Sequence, residues 1–343
     1  MCVTEKVRDP YFDNAKLLLI FLVIFGHLIQ PFVEDYSQIE DLYYLIYTFH
    51  MPGFILISGY FSKNIRRPGY LRKTAETMLV PYVVFQFIYS LFYFMIQSSG
   101  KVSLQFLNPH WSLWFLLSMF FWNVALYLFD RFTPLMGMTI AIVIGLLAGY
   151  APGIDQFLSL SRTMVFFPFF LLGFYLQASF FEKTKKPAMR VVGIILFVLL
   201  AKLVTYAEVW NKYWFFGSKP YDHFLENPEV GGIVRLFVYL ISFIAIFAFF
   251  TLVPRKKYRF TYLGENTLYA YLLHGFIVKS LRSMDMGELT LKPWLFFLIV
   301  ALSIVMTALF TRPIFKKSLD RMFSMVSDNL IKWKSKDKTR KKE

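Results

Sequence analysis

The feature that most constrains this chain is a succession of apolar blocks, each roughly 17 to 22 residues long, running almost end to end. At ~1.5 Å of rise per residue, one such block spans the hydrocarbon core of a bilayer as a helix. No water is available there to satisfy backbone N–H and C=O groups, and a helix bonds them internally. The blocks fall at about 15–33, 42–61, 78–97, 111–129 and 134–150, then at 163–181, 189–206, 231–252, 264–281 and 292–312. The expected fold is therefore all-α, a polytopic integral membrane protein of about ten transmembrane helices. Composition agrees: 57% of the residues are apolar and only 17% charged, too few to cover a soluble chain of 343 residues. One membrane domain is expected over 15–315, after a short segment 1–14 and before a basic tail 316–343.

The net charge of +15 does not point to nucleic acid, because the basic residues lie between apolar blocks rather than on one folded face. They mark orientation instead, since Lys and Arg are retained on the cytoplasmic side. Alternate connections are basic: Lys63, Arg66, Arg67, Arg72 and Lys73; Lys183, Lys185, Lys186 and Arg190; Arg255, Lys256, Lys257 and Arg259. The other connections are acidic or mixed, with Glu34, Asp35, Glu40 and Asp41 in the first and Glu208, Asp222, Glu226 and Glu229 in the long segment 207–230. Ten helices with both termini in the cytoplasm put every strongly basic loop on one side. The basic tail then reads as a solvated anchor attracted to anionic lipid headgroups. Residues 1–14 carry Glu5, Asp9 and Asp13 and no small-residue cleavage site, so the first block reads as a retained helix. The single cysteine, Cys2, excludes an internal disulfide framework and a multi-cysteine metal cluster; no metal site is expected.

An ionisable residue inside an apolar span is costly, which makes it a functional candidate. In the ten-helix scheme all five histidines, His27, His50, His110, His223 and His274, fall in the outer half. Histidine can act as general base near neutral pH, as hydroxyl activation requires; equally, a buried histidine often serves only to satisfy a backbone group. Lys16 and His27 are eleven residues apart on the first helix, close to three turns and so on roughly one face, ~16 Å apart. Lys16 could snorkel to the interface or hold an anion. Ser58-Gly59 suits close helix packing or a hydroxyl contact. His110, Trp111 and Trp114 open the fourth helix, where an aromatic belt and a sugar-stacking surface are the two readings. The aromatic connector with Trp210, Tyr213, Trp214, Phe215, Phe216 and Tyr221 could likewise stack on sugars or lie on the membrane surface.

The stretch from Asp13-Asn14-Ala15-Lys16 through Gly26-His27 resembles the first helix of the acyltransferase 3 family of membrane O-acyltransferases, in particular its fucose 4-O-acetylase-like branch. The likeness continues at Phe49-His50-Met51-Pro52-Gly53-Phe54, Ile57-Ser58-Gly59-Tyr60-Phe61, His110-Trp111-Ser112-Leu113-Trp114 and Leu263-Gly264-Glu265-Asn266-Thr267 through His274. Two positions depart from the family pattern. Lys16 stands where many members carry arginine, and the Arg-x-x-Arg pair before the third helix is absent, Arg72 being followed three residues later by Ala75.

The resemblance implies an enzyme that moves an acetyl or other short acyl group from cytoplasmic acyl-CoA, typically acetyl-CoA as co-substrate with no tightly bound cofactor. The acceptor would be a hydroxyl of a cell-surface or lipid-linked glycan, and the location the plasma membrane of a bacterial cell. It implies His27 as base or transient acyl carrier, with His274 and His50 as further catalytic candidates. Lys16, Arg66, Arg67, Arg72 and Lys73 would hold the anionic head of the donor, against the alternative of ordinary topology anchoring. His110, Trp111, Trp114 and Ser58 would meet the acceptor. Membrane lipids and a carbohydrate acceptor are the expected partners, without nucleic acid. The alternative from another class is a polysaccharide exporter or flippase, which should carry a continuous polar path and preferably internal repeats.

The loop charges predict that tags after Glu343 and within 63–73 are cytoplasmic and that a tag within 211–228 is external. Protease accessibility in intact cells measures this, and a protected 211–228 tag would reject the arrangement.

Overall fold

The computed structural model describes residues 8–96, 105–154, 157–207, 210–284 and 290–340, with side chains through 328. Among them the regular structure is entirely helical. The first helix, α1 (Pro10–Ile29), starts earlier than its apolar run, within the expected leading segment 1–14. Asp9 caps it by accepting from the Tyr11 N–H at 2.9 Å, and Pro10 occupies the first helical position. α1 runs through the middle of the molecule, and Ala15, Leu19, Ile20, Val23 and Ile24 are almost fully buried.

The expected second span, 42–61, is instead two helices, α2 (Ser37–Tyr47) and α3 (His50–Phe61). The break follows from Pro52, which has no N–H to give the Thr48 carbonyl and whose ring crowds it. The break is also closed by side chains: the Thr48 hydroxyl donates to the Leu45 carbonyl at 2.6 Å, and His50 Nδ1 bonds the Ile46 carbonyl at 2.9 Å.

Next come α4 (Tyr70–Ile96), α5 (Trp114–Phe129), α6 (Pro134–Leu147) and α7 (Leu160–Tyr175), then the short α8 (Ala178–Thr184), which splits the expected span 163–181. α9 (Pro187–Tyr206), α10 (Lys212–Phe216), α11 (Gly231–Leu252), α12 (Thr267–Arg282), α13 (Pro293–Phe310) and α14 (Pro313–Arg340) complete the order. Among the described residues, seven helical segments are long and apolar enough to cross a membrane: Pro10–Phe32, Tyr70–Ile96, Trp111–Phe129, Phe157–Tyr175, Pro187–Tyr206, Pro228–Leu252 and Pro293–Phe310. The three remaining expected spans are the broken α2–α3 pair and the shorter α6 and α12. The tail expected to be solvated is helical from Pro313. Leu319, Met322 and Phe323 pack against the cluster around Phe85, and Tyr269 donates to Asp320.

The three basic loops converge on the N-terminal end of α1. Asn14 donates to the carbonyls of Pro254 and Lys256, both at 2.9 Å, and accepts from Thr261 at 2.8 Å. Lys185 pairs with Asp9 at 2.8 Å, and Lys63 donates to the Leu176 carbonyl beside them. At the opposite end, the acidic first connector meets Lys212 through Glu34 at 3.0 Å and Thr205 through Asp41 at 2.7 Å.

The most extensive helix pairing joins α3 to α7. Glycines on both helices make it close: a Cβ on Gly59 would lie 1.9 Å from the Phe170 carbonyl oxygen, and one on Gly173 2.0 Å from that of Leu56. Small residues let membrane helices approach to backbone contact. Gly59→Ala or Gly173→Ala should therefore force the helices apart and cost about 1–3 kcal/mol by overpacking. Reversible unfolding in mixed micelles measures this, and unchanged stability in both variants would mean that the contact is not tight.

Candidate active site

α1 ends where α12 ends beside it, and the histidines meet there. The His27 and His274 rings stack with centroids 5.6 Å apart and planes at 20°. Trp111 packs on both, 4.5 Å from His27 and 5.2 Å from His274. His274 is fully buried, its Nδ1 3.1 Å from the Ala270 carbonyl. A carbonyl only accepts, so Nδ1 carries the hydrogen and Nε2 keeps a lone pair, which has no partner. His50 is fixed the same way by its bond to the Ile46 carbonyl, with Tyr47 against its ring at 4.3 Å. The Tyr47 hydroxyl reaches His27 Nδ1 at 3.4 Å, a long contact.

Trp111 is held in an unusual conformation, φ 34°, which costs a residue with a Cβ about 1–3 kcal/mol. Gly275 makes room for it, since a Cβ there would lie 2.6 Å from the indole. Two cations lie over the indole, Lys279 at 5.3 Å and Arg282 at 5.9 Å. Arg282 also donates to the His27 carbonyl and to Gln30 Oε1, each at 2.7 Å.

A cavity of about 240 Å³ opens onto this group. His27, His50, Tyr47, Trp111, Arg162 and Arg282 are among the side chains that line it, and, among the described residues, none that lines it is acidic. His274 stacks behind His27 and does not line it. Phe215 and Phe216 do, because the aromatic connector folds onto the protein. Trp214 and Tyr221 are buried, and the Arg235 guanidinium lies 5.0 Å from the Trp214 ring. Trp214 and Tyr221 are thus packed inside the protein rather than laid on a membrane surface, while Phe215 and Phe216 face the cavity.

Next to it lies a vestibule of about 320 Å³, lined by Gln105, Asn108, His110, Ser159, Ser218 and Lys219 together with Trp111 and Arg162. His110 is anchored to α4, its Nε2 2.8 Å from the Ser90 hydroxyl and its N–H donating to Gln86 at 2.9 Å. His223 stands apart from the cavity, beside Tyr213. Glu34, a few residues beyond His27, pairs with Lys212.

At the other end of α1 a third cavity, of about 540 Å³, is lined by Lys16, Arg67, Lys73, Ser58, Asn64 and Asn123 among others. Lys16 is paired with Asp13 at 2.9 Å, and Asp13 also accepts from Arg8. Arg66 and Arg72 do not line this cavity: Arg66 pairs with Asp130 at 2.8 Å and Arg72 with Glu76 at 2.9 Å. Ser58 lies in it, far along α3 from His50, and its hydroxyl donates to the Phe54 carbonyl. α1, α3 and α5 each contribute to both the histidine and the basic cavity, through His27 and Lys16, His50 and Ser58, and Trp114 and Asn123.

Sequence reasoning missed Arg162, Lys279 and Arg282. Each lies near a helix end, where a cation reads as an interfacial anchor, and only the packing turns them inward.

The family model described as an acyltransferase domain matches residues 9–312. Nodulation protein NolL of Sinorhizobium fredii is 25% identical over 308 residues, covering 82% of this chain and 81% of that protein. Nodulation protein NolL of Mesorhizobium japonicum is also 25% identical, over 317 residues, covering 82% of this chain and 79% of that protein. No solved structure shows a significant match. The histidine cavity and the basic cavity both lie within the matched residues, and the chain belongs to the acyltransferase 3 family.

Proposed function

We propose that the protein is a membrane O-acyltransferase of the fucose 4-O-acetylase-like branch. It carries an acetyl or other short acyl group from cytoplasmic acyl-CoA to a hydroxyl of a cell-surface or lipid-linked glycan. The observation that supports this best is the pair of cavities at opposite ends of α1, one basic around Lys16 and one holding His27, bounded by the same three helices. Eleven residues of helix separate the two, ~16 Å, a span that a pantetheine arm can bridge. The broken α2–α3 pair, α6 and α12 complete ten crossings in this reading, with both termini and the basic cavity cytoplasmic, as the positive loops favour.

The donor's phosphates lie against Arg67, Lys73 and Lys16, with Lys16 shared between the ligand and Asp13. The thioester reaches the histidine cavity. His27 takes the proton of the acceptor hydroxyl, whose oxygen attacks the thioester carbon. The C–S bond breaks as the new ester forms, and the CoA thiolate leaves with the proton. Cations around the cavity favour the negative charge that develops on the carbonyl oxygen. The exporter reading needs a polar path, whereas the buried side chains of α1 between Lys16 and His27 are Leu19, Ile20, Val23, Ile24, Phe25 and Gly26.

Two outcomes follow. His27→Ala and His27→Gln should each lower acyl transfer per folded molecule by about 10²–10⁴-fold, because Gln keeps a hydrogen bond but accepts no proton near neutral pH. Near-normal transfer by the Gln variant would make His27 a packing residue. The combined variant Lys16→Gln, Arg67→Gln, Lys73→Gln should raise the KM for acyl-CoA, and the wild-type KM should rise with salt as exposed phosphate contacts are screened. The control Arg66→Gln, Arg72→Gln, outside the cavity, should stay within about twofold, as expected for exposed ion pairs. Equal effects from both sets would reduce the basic loop to an anchor.

A further inference from the structure

The histidine cavity carries Arg162, Lys279 and Arg282 and, among the described residues, no acidic one. Several cations elsewhere find carboxylates: Lys16 with Asp13, Arg66 with Asp130, Lys185 with Asp9 and Lys212 with Glu34. Arg282 is committed to the His27 carbonyl and Gln30, and Lys279 lies over Trp111. Arg162 is different. Its guanidinium lies 5.2 Å from the Trp114 ring and touches the Trp111 carbonyl only at 3.5 Å, and no carboxylate pairs with it among the described residues. A sequestered cation without a counterion is costly, and that cost falls when a ligand supplies the anion.

Arg162 is also where the two outer spaces meet, since it lines both the histidine cavity and the vestibule, as does Trp111. The backbone is strained on each side of this junction, with φ 34° at Trp111 and φ 51° at Ser159. Strain of this kind persists where surrounding structure fixes a ligand clamp. The vestibule adds Gln105, Asn108 and Ser218, groups suited to sugar hydroxyls.

We propose that the acceptor carries an anionic group, a carboxylate or a phosphate ester, and that Arg162 recognises it while the acceptor hydroxyl faces His27. The planar guanidinium offers two parallel N–H donors to either anion. The assignment to the acceptor rather than the donor rests on the acyl-transfer reading, in which the donor's phosphates stay at the Lys16 cavity.

The test uses the full-length protein in lipid nanodiscs and three probes of similar size: a methyl hexuronide, a hexose 1-phosphate and a neutral methyl hexoside. Equilibrium binding should favour both anionic probes over the neutral one by about 10- to 100-fold, the range of a charge-assisted contact. Arg162→Gln should remove the preference, raise the KM of an anionic acceptor by a similar factor and leave the KM for acyl-CoA unchanged. Equal affinity for charged and neutral probes, no affinity for any of them, or a preference that survives in Arg162→Gln overturns the proposal. The wild-type comparison stands without the variant, should that variant fold poorly. Binding preference and acyl transfer are read separately. A charge preference in a protein that transfers no acyl group upholds the anion site and rejects the acyltransferase reading. Transfer without charge preference does the reverse.

Discussion

Arg282 reaches from the end of α12 to the last turn of α1, donating from one nitrogen to the His27 carbonyl and to the Gln30 side chain. The last carbonyls of a helix have no partner within it, and in a membrane domain they must find one in protein or water. A guanidinium there satisfies one of them and sets a positive charge against the negative end of the helix. Its other consequence is positional. Because the bond is made at His27 itself, it ties that residue to α12, which also carries His274 and Lys279. The ring stack, the indole between the cations and the cavity wall all depend on these two helices ending together.

The two ends of α1 are built on opposite electrostatic terms. Around Asp13 the cations are matched: Arg8 and Lys16 share its carboxylate, and Arg8 also reaches Glu265 at 3.5 Å. An anion arriving there would compete with an existing carboxylate for Lys16. Around His27 the cations face aromatic rings and carbonyls, which soften their desolvation without neutralising them. Negative charge brought or developed in the histidine cavity meets no carboxylate among its described lining residues.

The helical spans were legible because the bilayer imposes them: length and apolarity alone locate α9, α11 and α13 closely, whereas α1 and α4 begin well before their apolar runs, at Pro10 and Tyr70. The pairing of Lys16 with His27 along α1 was legible too, since helical periodicity carries it. Other features are tertiary. Trp111 reads as an interfacial aromatic until its positive φ and the space left by Gly275 turn it against two histidines. Arg162, at the start of an apolar run, gives no sign in the sequence that it faces a cavity. The acidic partners of Arg66 and Arg72 illustrate the same limit. Glu76 lies one helical turn from Arg72 and can be read from spacing, but Asp130 reaches Arg66 from the end of another helix.

The positions where helical regularity fails coincide with the site. α1 gives way to a 3-10 turn at Gln30, α2 breaks from α3 before His50, and Trp111 and Ser159 take positive φ values at the starts of their helical segments. In hydrocarbon each irregularity would leave polar backbone groups unsatisfied, and it is tolerated only beside protein or a water-filled cavity. Here side chains meet much of that demand. His50 takes the Ile46 carbonyl, Thr48 that of Leu45 and Arg282 that of His27. Two of these three side chains, His50 and Arg282, also line the histidine cavity, so groups that repair the broken helices also face the open space. A continuous α2–α3 helix would satisfy its own carbonyls and would carry His50 away from His27. The interruption that Pro52 imposes is thus what brings the second histidine to the cavity.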